Sequence, residues 1–422
     1  MLPPVSKKLI AHLDMNSYFA SVEQQANPFL RGRPLGVCAY LHRHGCVIAA
    51  SIEAKDRGMK VGMTMEEAQA KAPNAVFVQN DPPKYRAVTS RVFSILHELT
   101  DCVQHYSIDE AFLDLTGWYR DAAEAAWALT RVRQRIKNEV GEWLRCSIGI
   151  APTRFLAKTG SDFQKPEGLT VIDYDNLDEI LARLDLEDVC GIGLRLRRRI
   201  EALGYRSLLE LKRAAIPNLI RALGKNGYFL WAKLNGLEVE QIISKEPLPK
   251  SIGHSYCVPN TVNKAGKVIP VFTKLVERAA RRLRSQGLLA GMIMAAVSFR
   301  SGGSGYEFVH LEEQVDDSFT LVDVAVRLLC GMWDGKTPVS FLAVTFADLG
   351  IPTDQLGLLY TRPSTHRMDD RLKLLSKAAD QVRDKYWDGS LFLGRMWGVT
   401  ADDAPDRIGF RKTDGVDVTL TI

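Results

Sequence analysis

The sequence has no apolar run long enough to cross a bilayer: the longest, residues 288–297, is about half the length of a spanning helix. Its N-terminus carries Lys7 and Lys8 but only a short apolar segment broken by His12, so no secretory leader is predicted and a cytoplasmic place is expected. Cysteine is sparse. Cys38, Cys46, Cys102, Cys146, Cys190, Cys257 and Cys330 are odd in number with no close pair, which argues against a disulfide framework and for core positions in a reducing compartment. His42, His44 and Cys46 alternate without a fourth ligand, too little for a zinc site. The glycine-rich stretch 301–305 is not followed by Lys-Ser or Lys-Thr, so it reads as a hairpin turn and not as a phosphate-binding loop. No internal repeat is found.

What is present is the composition of a soluble globular protein: 422 residues, 46% hydrophobic and 25% charged. That length predicts about two to four domains. A net charge of +5 and a pI of about 8.7 lean toward polyanionic partners.

The stretch that organises the rest is residues 104–115, Gln-His-Tyr-Ser-Ile-Asp-Glu-Ala-Phe-Leu-Asp-Leu, which sets Asp109 and Glu110 side by side in a run that otherwise reads as buried strand. An ionised carboxylate removed from water needs a partner or loses its charge, and no Arg or Lys lies nearby in sequence. Adjacent residues on a regular strand point to opposite faces, so both acids serve one site only if the chain bends between them. The stretch is therefore expected to be a hairpin that presents two acids to hard, oxygen-seeking metal ions. An edge strand with solvated acids is the plain alternative. A second apolar run, residues 8–13, delivers Asp14 where a strand would end, before a helix-like segment at 18–23. Two strand ends carrying three carboxylates suit two-metal phosphoryl transfer.

After Asp14 the breaks at Asn27-Pro28 and Arg31-Gly32-Arg33-Pro34 open a small insertion that runs to Asp81-Pro82-Pro83. Helices are expected over 84–99 and 122–140, a strand over 145–150, and a helix from Arg154 that Lys165-Pro166-Glu167-Gly168 stops. Lys158 and Lys165 are cations in reach of phosphates, or else solvated lysines. From 173 to 244 the pattern is helical. Within it, the turn carrying Gly191 and Gly193 precedes an arginine-rich helix with Arg195, Arg197, Arg198 and Arg199. Backbone N–H groups at such a helix start bind phosphate without reading bases, as helix-hairpin-helix elements do. A proline-bearing linker at 245–249 leads to the order strand, helix, strand, strand, helix, strand over 251–346, the split βαβ arrangement. Arg278, Arg281, Arg282 and Arg284 are expected on a solvated helix face. Residues 351–354 read as an exposed connector, and a last helix is expected to carry Met368, Leu372, Leu375, Ala379, Val382 and Tyr386 on one apolar stripe.

Five motifs stand in order: Leu13-Asp14-Met15-Asn16-Ser17-Tyr18-Phe19, Tyr106-Ser107-Ile108-Asp109-Glu110, Lys165-Pro166-x-Gly168, Gly191-Ile192-Gly193 and Lys250-Ser251-Ile252-Gly253. Together they resemble the Y-family translesion DNA polymerases, of bacterial UmuC/DinB-like type, from residue 9 to about residue 360. The resemblance implies an α/β and α+β multidomain fold, a right hand of palm, small fingers, helical thumb and split-βαβ little finger plus a C-terminal tail. The implied boundaries are 1–26 and 83–175 for the palm, 27–82 for the fingers, 176–244 for the thumb, 250–348 for the little finger and 349–422 for the tail.

It further implies Asp14, Asp109 and Glu110 as catalytic metal ligands, with the Met15 carbonyl, for two Mg²⁺ ions, Mn²⁺ being an alternative. Tyr18, Phe19, Lys55 and Lys165 would contact the nucleotide, with Phe19 as the steric gate against a 2′-hydroxyl. Where DinB-type chains hold the triphosphate with Tyr and Arg, this sequence has Ile52 and Lys55, and Lys offers a point charge in place of a fork. Gly191, Gly193 and Arg195 would grip DNA. Gln355, Leu356, Leu358 and Leu359 resemble a sliding-clamp peptide, and the long tail resembles UmuC-type chains, which implies a UmuD-like accessory protein. The implied function is template-directed, low-fidelity DNA synthesis on primer-template DNA with dNTPs, without proofreading, in DNA repair and the SOS response, near the nucleoid and away from membranes. A catalytically silent scaffold at stalled forks and a nucleotidyl cyclase are the rivals. Three retained carboxylates weigh against the first, the thumb and split βαβ unit against the second.

Overall fold

The computed structural model describes residues 8–43, 45–244, 248–352, 366–387, 389–400 and 402–405. The described chain falls into two compact units, the first running to residue 244 and the second from 248 to 405. No helix among the described residues is long and apolar enough to cross a membrane.

The first unit opens with β1 (Ile10–Met15) and α1 (Tyr18–Ala26), then a small subregion of β2 (Leu35–Cys38), β3 (Val47–Ala50), α2 (Ile52–Lys55), α3 (Met65–Lys71) and β4 (Val76–Gln79), whose strands form a sheet in the order β3-β2-β4. There follow α4 (Pro82–His97), the hairpin of β5 (Val103–His105) and β6 (Glu110–Asp114), α5 (Ala122–Arg135), β7 (Cys146–Ala151), α6 (Arg154–Phe163) and β8 (Leu169–Val171). The five strands pair as β5-β6-β1-β7-β8. Burial on both faces explains the near-continuous apolar character of β1. Ala11 and Leu13 join a core with Leu113 and residues of α4 and α5, while Ile10 joins Phe112 and α6 on the other face. Gly149 on β7 has no room for a Cβ, which would stand 2.0 Å from the Ala157 carbonyl oxygen, so α6 lies close against the sheet.

Short helices complete this unit: α7 (Leu177–Ala182), α8 (Leu194–Ala202), α9 (Leu208–Lys212), α10 (Ile216–Leu223) and α11 (Lys225–Leu234). They share a core with α6 through residues such as Leu181, Ile200, Leu211 and Leu234.

The second unit holds β9 (Ser251–Cys257), α12 (Asn260–Lys264), α13 (Val268–Ser285), β10 (Leu289–Phe299), β11 (Ser304–Val315), α14 (Ser318–Met332), β12 (Val339–Gly350) and α15 (His366–Lys385). Its sheet runs β11-β10-β12-β9, every neighbour antiparallel. β9 and β10 are thus parallel with β12 between them, and β11 and β12 are parallel with β10 between them: two interleaved split βαβ units. Gly302 and Gly303, at φ 93° and 87°, make the expected hairpin turn between β10 and β11.

Two sequence expectations fail here. The arginines of α13 are not on a solvated face, because the chain after β12 returns to cover it. Arg284 forks onto Asp380 of α15 at 2.6 and 3.0 Å, Arg281 pairs with Asp384, and Arg383 reaches back to Glu277. Arg278 donates to the Ala404 carbonyl and Arg282 to that of Gly253, at 2.6 Å for the latter. Correspondingly, α15 does not dock by its apolar stripe. Among its described side chains Ser376 and Arg383 are the buried ones, while Leu375, Val382 and, just past its end, Tyr386 are exposed. The expected clamp peptide, Gln355, Leu356, Leu358 and Leu359, lies outside the described residues, as do His44 and most of the expected linker and connector.

Candidate active site

Register places the acids. β1 and β6 are antiparallel with Asp14 opposite Glu110, so both carboxylates rise from one face, the face that also carries His12 and Phe112. Asp109 sits in the bend before β6, and its carbonyl accepts from the Met15 N–H at 3.0 Å. The chain therefore turns between Asp109 and Glu110, and Asp109 comes to the end of β1 beside Asp14.

The cations missing from the local sequence come from α6 and the turn after it. Lys158 donates to Glu110 Oε1 at 2.7 Å, and Lys165 to Asp14 Oδ2 at 2.9 Å and Asp162 Oδ1 at 2.7 Å. Burial, aided by Glu110 and opposed by the pull of Lys165, raises the Asp14 carboxyl to about 7. Burial likewise raises Asp109, opposed by a hydrogen bond from Ser107 and reinforced by Asp14. Burial works against the charge of Lys165, yet Asp14 and Asp162 hold it above the usual lysine value. Beneath Lys158, fully buried His12 bonds Ser161 Oγ through Nδ1 at 2.7 Å, and burial first, then Lys158, holds it well below its ordinary value.

A cleft of about 390 Å³ opens over Asp14 and Asp109. Its walls include Met15, Tyr18, Phe19, Ile52, Lys55 and Lys165, so all four of the expected nucleotide residues border one space. Glu110 and Lys158 are not among the residues lining it. Phe19 is 7% exposed and stacks on Tyr85, ring centroids 4.4 Å apart at 17°. Tyr85 in turn donates to Glu23 Oε1 at 2.8 Å, and Lys84 holds Glu23 Oε2 at 2.8 Å. Tyr18 lines the cleft, and its hydroxyl bonds the Tyr85 carbonyl and Thr89, each at 2.7 Å.

The turn between β1 and α1 is held by Asn16, which donates to Ser147 Oγ at 3.0 Å and accepts from the Glu167 N–H at 2.8 Å. Ser17 has φ 49° there. Asn16, Ser107, Tyr85 and Glu23 were not singled out as site residues from the sequence. The first two lay inside quoted motifs, and the other pair becomes visible only once α1 and α4 are seen to touch. Among the described residues no three His, Cys, Asp or Glu side chains stand as a ready metal-ligand set, the three carboxylates being engaged by Lys158, Lys165 and Ser107.

Elsewhere in the first unit, Gly191 adopts φ 101° and Gly193 begins α8, whose start carries no side-chain cap. Both glycines and Arg195 are exposed. The element before the turn is only a three-residue 3₁₀ turn, Leu186–Asp188.

Comparison with known proteins places this geometry in a family setting. Residues 13–162 match the impB/mucB/samB family, and residues 249–358 match that family's C-terminal domain. DNA polymerase IV of Pelotomaculum thermopropionicum is 31% identical over 386 residues, 90% of this chain and 92% of that one. DNA polymerase IV 1 of Bacillus subtilis is 31% identical over 351 residues, 82% of this chain and 83% of that one. Among solved structures, a Y-family DNA polymerase chimera superposes with a TM-score of 0.70 at 25% identity, over 82% of this chain and 100% of that chain.

Proposed function

The chain belongs to the Y-family DNA polymerases, and from that premise we propose that Asp14, Asp109 and Glu110 form its catalytic centre. It is a DNA-directed DNA polymerase of the translesion type, acting on DNA and dNTPs with a divalent metal. The finer reading is two Mg²⁺ ions held by the three carboxylates and the Met15 carbonyl. The observation that supports it is the cross-strand pair Asp14 and Glu110 with Asp109 at the bend, an all-oxygen set in which Asp14 is buried and the other two half-buried, with Lys165 on Asp14 and Lys158 on Glu110. Such ions supply an activated primer 3′-hydroxyl and neutralise the leaving pyrophosphate.

This chain's own groups do the positioning. Lys165 and Lys55 border the cleft where triphosphate charge would lie, and Phe19 walls the sugar side. The division into palm (1–26, 83–175), fingers (27–82), thumb (176–244) and little finger (250–348) is part of the same reading, as are DNA contacts from Gly191, Gly193 and Arg195. A sliding clamp at Gln355, Leu356, Leu358 and Leu359 and a UmuD-like accessory protein are its partner proposals.

Primer extension with Mg²⁺ and dNTPs tests it. Extension by the wild type should fall by about a thousandfold or more in Asp109→Ala, with duplex binding retained. Wild-type binding without extension would leave the scaffold reading.

A further inference from the structure

The two lysines that meet the acids of the first unit stand differently to the cleft. Lys165 lines it, and its side chain is 37% exposed. Lys158 does not line it; its side chain is 14% exposed and that of its partner Glu110 17%. The fold fixes where Lys158 stands. Gly149 of β7 has no space for a Cβ between the Ala157 carbonyl and the Ser161 N–H, so the turn of α6 that carries Lys158 lies directly on the sheet. Ser161 Oγ donates to the Lys158 carbonyl at 2.8 Å and bonds Nδ1 of buried His12, two residues before Asp14 on β1, at 2.7 Å. The Lys158 ammonium stands 5.4 Å from the centre of the Tyr106 ring and donates to Glu110 Oε1 at 2.7 Å. Both ends of that bond are thus tied to β1, Lys158 through Ser161 and His12, and Glu110 through its register with Asp14.

One donor on one oxygen is a specific arrangement. A glutamate carboxylate turns on three side-chain bonds, and an ammonium on Oε1 fixes it while leaving the other oxygen to a hard cation. An arginine fork would span both oxygens. An ion pair that served stability alone would have no use for this distinction.

We propose that Lys158 is a positioning residue of the polymerase reaction, holding Glu110 by one oxygen so that the other serves the metal site shared with Asp14 and Asp109. The inference rests on the assignment of those three carboxylates as the catalytic centre. Single-nucleotide insertion, Mn²⁺ titration followed by electron paramagnetic resonance, and thermal melting are measured on the full-length wild type, Lys158→Met and Lys158→Arg. Lys158→Met keeps the apolar stem and removes the charge. Its maximal insertion rate should fall about thirtyfold, the scale of losing an outer partner of a metal ligand, while the dNTP concentration at half that rate changes less than about twofold. Lys158→Arg keeps the charge and the melting temperature, yet should slow insertion about tenfold and weaken Mn²⁺ binding about tenfold, because the fork takes both oxygens. A wild-type rate in either variant would overturn the proposal, as would unaltered Mn²⁺ binding by Lys158→Arg. A weaker dNTP response at an unchanged maximal rate would also overturn it, making Lys158 a nucleotide contact. Should Lys158→Met fail to fold, Lys158→Arg decides alone. Asp109→Ala keeps the two readings apart. Insertion lost there but normal in the lysine variants defeats the positioning role and leaves the centre, whereas full insertion by Asp109→Ala defeats the centre itself.

Discussion

Phe19 owes its orientation to a chain of contacts that begins on its own helix: Glu23, one turn later, holds the Tyr85 hydroxyl, and Tyr85 supports the Phe19 ring from behind. Phe19→Val should therefore raise incorporation of ribonucleotides relative to deoxynucleotides by about a hundredfold, the scale of discrimination a few methylenes give, while dNTP extension changes less. Single-nucleotide kinetics with both sugars reads this; an unchanged ratio would put the gate elsewhere. His105 gives a pH dependence. It lies against Phe93, 4.3 Å between ring centroids, and its Nε2 meets that of His97 at 3.0 Å. Burial first, and His97 second, lower it to about 4. The unfolded chain then binds more protons than the native one between about pH 4 and 6.5, so stability is complete above that window and is lost as pH falls through it. The full shift would be worth about 3 kcal/mol, which partial exposure reduces to about 1. Thermal melts of the wild type and His105→Gln across this range check it, the variant showing the shallower fall. The carboxylates were legible because acids inside a buried strand pattern demand an explanation. Their lysine partners were not, since they come from 48 and 151 residues away.

At the level of elements, the seam between α13 and α15 is ionic where periodicity foretold an apolar one. Arg284 and Asp380 are largely buried, with side chains 4% and 15% exposed. Arg284→Ala leaves Asp380 without its fork and should cost the second unit about 3 kcal/mol, seen as an earlier denaturant midpoint. Adding Asp380→Ala should restore part of that loss, and a double variant as unstable as the sum of the singles would show the pair uncoupled. Hydropathy along α15 marks Leu375, Val382 and Tyr386 as the docking side, yet the surface it meets is rich in arginine. The helix turns Ser376, Asp380 and Arg383 inward, and Ser376 Oγ accepts from the Ser318 N–H at 3.0 Å. Strand and helix order in this unit could be read from the sequence, and short α12 could not. Neither could the sheet order β11-β10-β12-β9, because period-two patterning identifies a strand without naming its neighbour.

The two-unit plan of the whole molecule was visible in Pro247 and Pro249, which interrupt helix on one side and precede strand on the other. What composition concealed is that the segment after residue 352 masks charge. Residues 353–422 contain 11 acids and 11 Lys or Arg, so deleting them leaves the net charge at +5. The deletion nevertheless removes Asp384 from Arg281, Asp380 from Arg284, which keeps the Asp316 carbonyl and the Ser318 hydroxyl, and the carbonyl that accepts from Arg278. Overall charge predicts no change in affinity for duplex DNA, whereas an uncovered arginine face predicts tighter binding at low salt and a steeper decline as salt rises. With the Arg278 and Arg281 guanidinium groups uncovered toward phosphate, the slope of log affinity against log salt should steepen by about one to two. Anisotropy titrations at several salt concentrations measure that slope, with circular dichroism confirming that the second unit stays folded. An unchanged slope in a folded deletion variant would mean that the α13 face does not meet the duplex, and the ionic seam would then serve stability alone.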